Sequence, residues 1–198
     1  VMEQADIALF EVKRRQRGQY RFHSPEMSQK MLEATSLAND LEKAQERGEL
    51  FLVFQPQVHL KEEKLIGCEA LLRWQHPERG FIPPGQFIPL AEERGLIHQL
   101  GDWVLYQACW QAKQWLEQGV EFQQIGINVS SLQLLEPKFV ERVYQVLQEL
   151  ELPAHYIELE ITETVLMQDI SVAERAMRSL NQLGVTFPID DFGTGYSS

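Results

Sequence analysis

Cysteine, basic residues and long apolar runs are all scarce in this sequence, and each scarcity removes a class of protein. The two cysteines, Cys68 and Cys109, stand alone, with no C-x-x-C pair and no histidine-rich segment to make a zinc site, and read as buried thiols in a reducing compartment. No apolar run approaches the ~18 residues of a membrane span, and Val1-Met2-Glu3-Gln4 is no signal-peptide start, so the segment is expected in the cytoplasm without membrane contact of its own. Any membrane anchor would lie in segments upstream. Eighteen Lys and Arg stand against 29 Asp and Glu, a formal charge of −11, which disfavours DNA or RNA polymers as partners. An anionic ligand needs local help here, which bound cations can supply.

What is present is ordinary globular composition: 198 residues, 44% hydrophobic and 24% charged, enough for a real core. The first residues predict a helix over Ala5–Val12 that ends in the basic run Lys13-Arg14-Arg15-Gln16-Arg17, then a short strand, Gln19–His23. An amphipathic helix follows between Pro25 and Gly48. Strands are predicted at 50–54 and 65–74, separated by the polar turn Lys61-Glu62-Glu63-Lys64, with a Pro- and Gly-bearing loop from Pro77 to Pro89. Helices at 87–94 and 96–118 lead to a strand at 125–130, a helix at 135–150, a strand at 157–163, a helix at 171–182 and a strand at 185–189. Trp103, Trp110 and Trp115 sit on the long helix without interleaved basic residues and read as packing residues, not a base-stacking platform. Strand and helix in alternation predict a parallel α/β sheet.

Several predicted strands carry a polar exception. Glu69 interrupts Leu65–Trp74, Asn128 sits near the end of its strand, Glu160 lies on the acidic face of Ile157-Glu158-Leu159-Glu160-Ile161-Thr162-Glu163, and Asp190-Asp191 opens the turn Phe192-Gly193-Thr194-Gly195. An ionised carboxylate in an apolar strand is costly unless paired, protonated or metal-bound. Two plainer readings stay open: a Glu69–Arg73 ion pair, since residues four apart on a strand share a face, and aspartates that merely form a turn. Parallel sheets place their sites at the C-terminal strand ends, which favours a common site. Four carboxylates and one amide, with no His or Cys, suit Mg²⁺, Mn²⁺ or Ca²⁺, and a metal pair suits displacement at a phosphodiester. Gln55 and Arg73 could offer donors to a phosphate or base. Asp191-Phe192-Gly193 has neither a Gly-rich loop nor a His-Arg-Asp loop with it, which excludes a kinase.

Phe54-Gln55-Pro56, Glu69-Ala70-Leu71-Leu72-Arg73-Trp74, Asn128-Val129-Ser130, Glu158-Leu159-Glu160-Ile161-Thr162-Glu163 and Asp190–Ser198 together resemble the EAL family of cyclic-di-GMP phosphodiesterases. Ala5–Phe10 through Phe22 resembles the last helix and strand of a GGDEF (diguanylate cyclase) domain, a common N-terminal neighbour. The resemblance implies a modified TIM-type (β/α)₈ barrel, of which this chain supplies about the first five strands, hydrolysing cyclic di-GMP to linear pGpG with two Mg²⁺ or Mn²⁺ ions. It implies Glu69, Asn128, Glu160, Asp190 and Asp191 as metal ligands, and Gln55, Leu71 and Arg73 as substrate contacts. Glu163 would brace the loop beginning at Asp191, a loop the family also uses to form homodimers. Phe54 stands where the family often has Tyr.

The boundaries that follow are residues 1–24 for the GGDEF-like tail, 25–48 for a connecting helix and 49–198 for an incomplete EAL domain. Both ends read as cuts. The family's catalytic lysine and a further acidic ligand would lie downstream of Ser198, so residues 1–198 alone are expected to be inactive as a phosphodiesterase. The competing class is a non-catalytic cyclic-di-GMP receptor, or a dimerisation or signalling module.

Overall fold

The computed structural model describes residues 22–162 and 169–190. The predicted helix at Ala5–Val12, most of the strand after it, Glu163 and the turn from Asp191 onward lie outside the described residues.

Helix α1 (Pro25–Ala44) starts on Ser24 with proline in its first turn, where a missing N–H costs nothing. It leads into strands β1 (Leu50–His59) and β2 (Lys64–His76), which pair antiparallel from Leu50↔Trp74 to His59↔Lys64. The connection between them is too short for anything but a hairpin, because a parallel crossover takes a dozen or more residues. Strict βα alternation therefore fails at the first two strands and again at the short strand after β2, whereas the strands that follow join the sheet parallel to β2, each in turn. A third short strand, β3 (Gly80–Ile82), folds back on β2 inside the stretch expected to be loop, pairing Trp74↔Ile82 and His76↔Gly80.

Helices α2 (Pro84–Glu93) and α3 (Ile97–Glu117) lead to β4 (Gln124–Val129), which runs parallel to β2. The helix expected at 135–150 starts later, as α5 (Phe139–Glu149), and a short helix that was not expected, α4 (Ser131–Leu134), precedes it, with Pro137 between the two. A capping box starts α4: the Ser130 hydroxyl accepts from the Gln133 N–H while the Gln133 side chain accepts from the Ser130 N–H. Strand β5 (Ile157–Thr162), helix α6 (Ile170–Leu183) and strand β6 (Ile189–Asp190) complete the described chain. β6 is shorter than the predicted 185–189 strand and starts after Pro188, which has no N–H for the ladder; Thr186 makes only an isolated bridge to Glu158.

Among the described residues the strands form one sheet in the order β1-β2-β4-β5-β6, with β3 on β2. One face is covered. Cys68 and Ala70 of β2, Ile125, Ile127 and Val129 of β4, and Ile157, Leu159 and Ile161 of β5 bury themselves against Val104, Ala108 and Ala112 of α3, Val143 and Val146 of α5, and Leu180 of α6. Trp103 and Trp115 pack against this core, whereas Trp110 is exposed, on the side of α3 turned from the sheet. A second cluster joins Leu37, Leu41 and Ala44 of α1 to Leu50, Trp74, Phe87 and Leu90. The Trp74 indole N–H donates to the buried Glu49 carboxylate at 2.9 Å. No helix among the described residues is long and apolar enough to cross a membrane.

Candidate active site

The period of two along each strand sends the alternate residues to the opposite face of the sheet. On β2 these are Glu69, Leu71 and Arg73; on β4, Gly126 and Asn128; on β5, Glu158 and Glu160. The ladder aligns them, with Glu69 opposite Gly126, Gly126 opposite Glu158 and Asn128 opposite Glu160. Asp190 ends β6 opposite Thr162, one residue pair beyond Ile161↔Ile189. Gln55 of β1 lies opposite Glu69 in the antiparallel register and so shares its face, and it is exposed.

The Asn128 amide donates to the Glu69 carboxylate at 2.6 Å. That contact links two strands that sequence alone treats as separate. Glu160 is buried at 9% exposure, with its carboxylate lying over Gly126, where a side chain would otherwise stand. A strand glycine marks a close approach, and here the approaching group is a carboxylate. Gly126 carries no donor of its own, and its signal in the sequence is only that of a glycine inside an apolar strand.

The Glu69–Arg73 ion pair does not form. On one strand four residues span roughly 13 Å, so a shared face is not contact. The Arg73 guanidinium instead donates to the Leu72 carbonyl at 2.9 Å. Glu158 points into a polar layer beneath the site, where the Thr186 hydroxyl lies 3.4 Å from its carboxylate and also accepts from the Gln124 amide at 2.7 Å.

A cavity of about 690 Å³ opens over this face, and Glu69, Leu71, Arg73, Asn128 and Glu160 all line it. Its far wall is α2, through Ile88, Pro89 and Glu92. Burial raises the pKa of the Glu92 carboxyl above its ordinary value, and this helix residue lines the cavity. Gln55 is outside the lining. Among the described residues no group of three or more His, Cys, Asp or Glu forms a metal-holding cluster. Of the predicted ligand set, the side chains of Glu69, Glu160 and Asn128 supply two carboxylates and an amide, an all-oxygen set, with the Glu160 carboxylate lying over Gly126.

A parallel α/β sheet with oxygen donors gathered toward the C-terminal ends of adjacent strands, under a ligand-sized cavity, defines a barrel-type α/β protein with its site at the strand ends. The chain belongs to the EAL domain family, whose model matches residues 38–198. It is 42% identical over its whole length to the bifunctional diguanylate cyclase/cyclic di-GMP phosphodiesterase MucR of Pseudomonas aeruginosa, of which it covers 29%. It is 39% identical, again over its whole length, to the cyclic di-GMP phosphodiesterase PdeR of Escherichia coli, of which it covers 30%. The chain thus spans under a third of either relative. A solved structure described as the PaMucR phosphodiesterase in complex with c-di-GMP superposes with a TM-score of 0.78 at 44% identity, covering 82% of this chain and 66% of that one. A structure of the FimX EAL domain from Pseudomonas aeruginosa, at 23% identity and a TM-score of 0.69, covering 82% of this chain and 64% of that one, shares the fold.

Proposed function

We propose that this chain forms part of a cyclic-di-GMP phosphodiesterase that opens the cyclic dinucleotide to linear pGpG. The observation that carries this reading is the meeting of Glu69 and Asn128 at 2.6 Å beneath a cavity that also takes in Glu160, Leu71 and Arg73. By resemblance these five residues take ligand and substrate roles.

Glu69, Asn128 and Glu160, with Asp190 and Asp191, would hold two divalent cations, Mg²⁺ or Mn²⁺, and their oxygen-only chemistry suits hard ions. Such ions, when bound, supply an activated water and neutralise the charge that develops on the attacking and leaving oxygens. The chain's own residues do the rest. Asn128 holds the Glu69 carboxylate in one orientation. Arg73 swings from the Leu72 carbonyl to meet a phosphate, a stronger charge-assisted partner. Leu71 supplies an apolar floor, and Gln55, on the same face, offers an amide to a base. Glu163 would brace the loop that begins at Asp191. We read residues 1–24 as a GGDEF-like tail and 25–48 as the helix joining it to the EAL domain, with a homodimer formed through that domain in the cytoplasm.

The test is product analysis by chromatography with the full-length protein, cyclic di-GMP and Mg²⁺ or Mn²⁺. Formation of pGpG, its loss in EDTA and a drop of at least about 100-fold in Glu69→Ala are expected, since even residues behind metal ligands are worth 10–100-fold. Tight binding of cyclic di-GMP without turnover would make the protein a receptor and contradict the catalytic reading.

A further inference from the structure

Strand β4 lies between β2 and β5, so the backbones that carry Glu69 and Glu160 are two strand spacings apart, roughly 9.6 Å. Carboxylates from both sides can meet one cation only above β4. Of the three β4 residues on that face, Gln124 lies lower and is bonded to Thr186, Asn128 is occupied with Glu69, and Gly126 is the register partner of Glu69. The Glu160 carboxylate lies in the space that Gly126 leaves open: a Cβ built there would stand 3.1 Å from Glu160 Cδ, with Oε1 closer still. No turn geometry requires this glycine. Unlike Gly48, Gly80, Gly95, Gly119 and Gly184, it does not have positive φ.

We propose that Gly126 is a positioning residue for the cation site, its bare Cα letting the Glu160 carboxylate cross β4 and converge with Glu69. The inference rests on the metal-dependent reading above. The atoms that an added methyl would displace are the far end of a flexible side chain, so Gly126→Ala moves the carboxylate and leaves the sheet alone. Gly67 provides the contrast on the neighbouring strand. A Cβ there would come 2.5 Å from the Gln124 carbonyl oxygen, which is backbone and has nowhere to go.

The experiment is calorimetric titration of Mn²⁺ into the full-length protein and its Gly126→Ala, Gly67→Ala and Glu69→Gln variants, with metal-free thermal melts of each. Gly126→Ala should weaken Mn²⁺ binding by on the order of ten-fold or more, the scale of groups that orient metal ligands, while its metal-free melting temperature stays within about 2 °C of wild type. Gly67→Ala should melt several degrees lower. If Glu69→Gln loses Mn²⁺ and Gly126→Ala binds it as wild type does, the positioning role is wrong and the metal reading stands. If Gly126→Ala melts as low as Gly67→Ala, the glycine is structural and the proposal falls. If wild type takes up no Mn²⁺, or Glu69→Gln binds it unchanged, the metal reading fails and takes the positioning role with it.

Discussion

At the residue scale, the two cysteines mark the difference between chemistry that a side chain owns and chemistry its surroundings permit. Both are buried in the core beneath the sheet, Cys68 on β2 and Cys109 on α3. Burial pushes the Cys68 thiol up to about 11 and that of Cys109 to about 12. The thiolate is the reactive form, so neither should react with a thiol reagent at pH 8 in the folded protein, and both should react once guanidinium unfolds it. Fast modification of the native protein would contradict this. The pH dependence has a definite sign. Below pH 9 both states keep the thiols protonated and nothing changes; from about 9 to 12 the unfolded chain releases protons that the folded chain retains. Stability falls with rising pH across that window. Glu69 shows the opposite treatment, since its carboxylate is satisfied by an amide and opens onto a cavity instead of being sealed away.

At the scale of elements, α1 is more than a spacer between sequence segments. Its first half is wet, with Leu32 exposed, whereas Leu37, Ala38, Leu41 and Ala44 are buried against the β1–β2 hairpin and α2. Polar contacts reinforce the dock: Arg79 donates to the Ser36 hydroxyl at 2.8 Å, and the buried His76 ring lies 3.4 Å from the Asp40 carboxylate. The His76 Nδ1 accepts the N–H groups of Glu78 and Arg79, tying the tight turn after β2 to the same cluster. Leu41→Ala should therefore cost about 2–4 kcal/mol in denaturant unfolding, the range for truncating a buried leucine, and Leu32→Ala less than about 0.5 kcal/mol. Equal effects at the two positions would contradict the docking.

At the scale of the whole molecule, the sheet's two faces differ: one is sealed by helices into the main core, the other opens onto the cavity. The cavity over this face is lined by apolar Leu71, Ile88 and Val104, and a dinucleotide in it would remove surface of this kind from water. Ligand linkage makes that measurable. Cyclic di-GMP at about 100 times its Kd should stabilise the folded protein by ~2.7 kcal/mol and raise its melting temperature by several degrees, with the shift reduced when EDTA removes the cations. A melting temperature indifferent to the dinucleotide would count against the proposed site.

The kinds of chemistry were legible in the chain itself, because residue type fixes donor type and strand periodicity fixes the face. Glu69, Asn128 and Glu160 stood out as polar residues in apolar strands, and the alternation from β2 to β6 was enough to give a parallel sheet. Elements set by local signals, such as the α3 stripe and the turn at Lys61–Lys64, also came through. Tertiary structure decided what depends on which strands are neighbours. The hairpin that turns β1 antiparallel, the short β3 and the Asn128–Glu69 contact across 59 residues of sequence all follow from register and strand order. Gly126 belongs with these. Its lack of a side chain is plain in the sequence, but only the position of β4 between β2 and β5 makes that absence a place for a carboxylate.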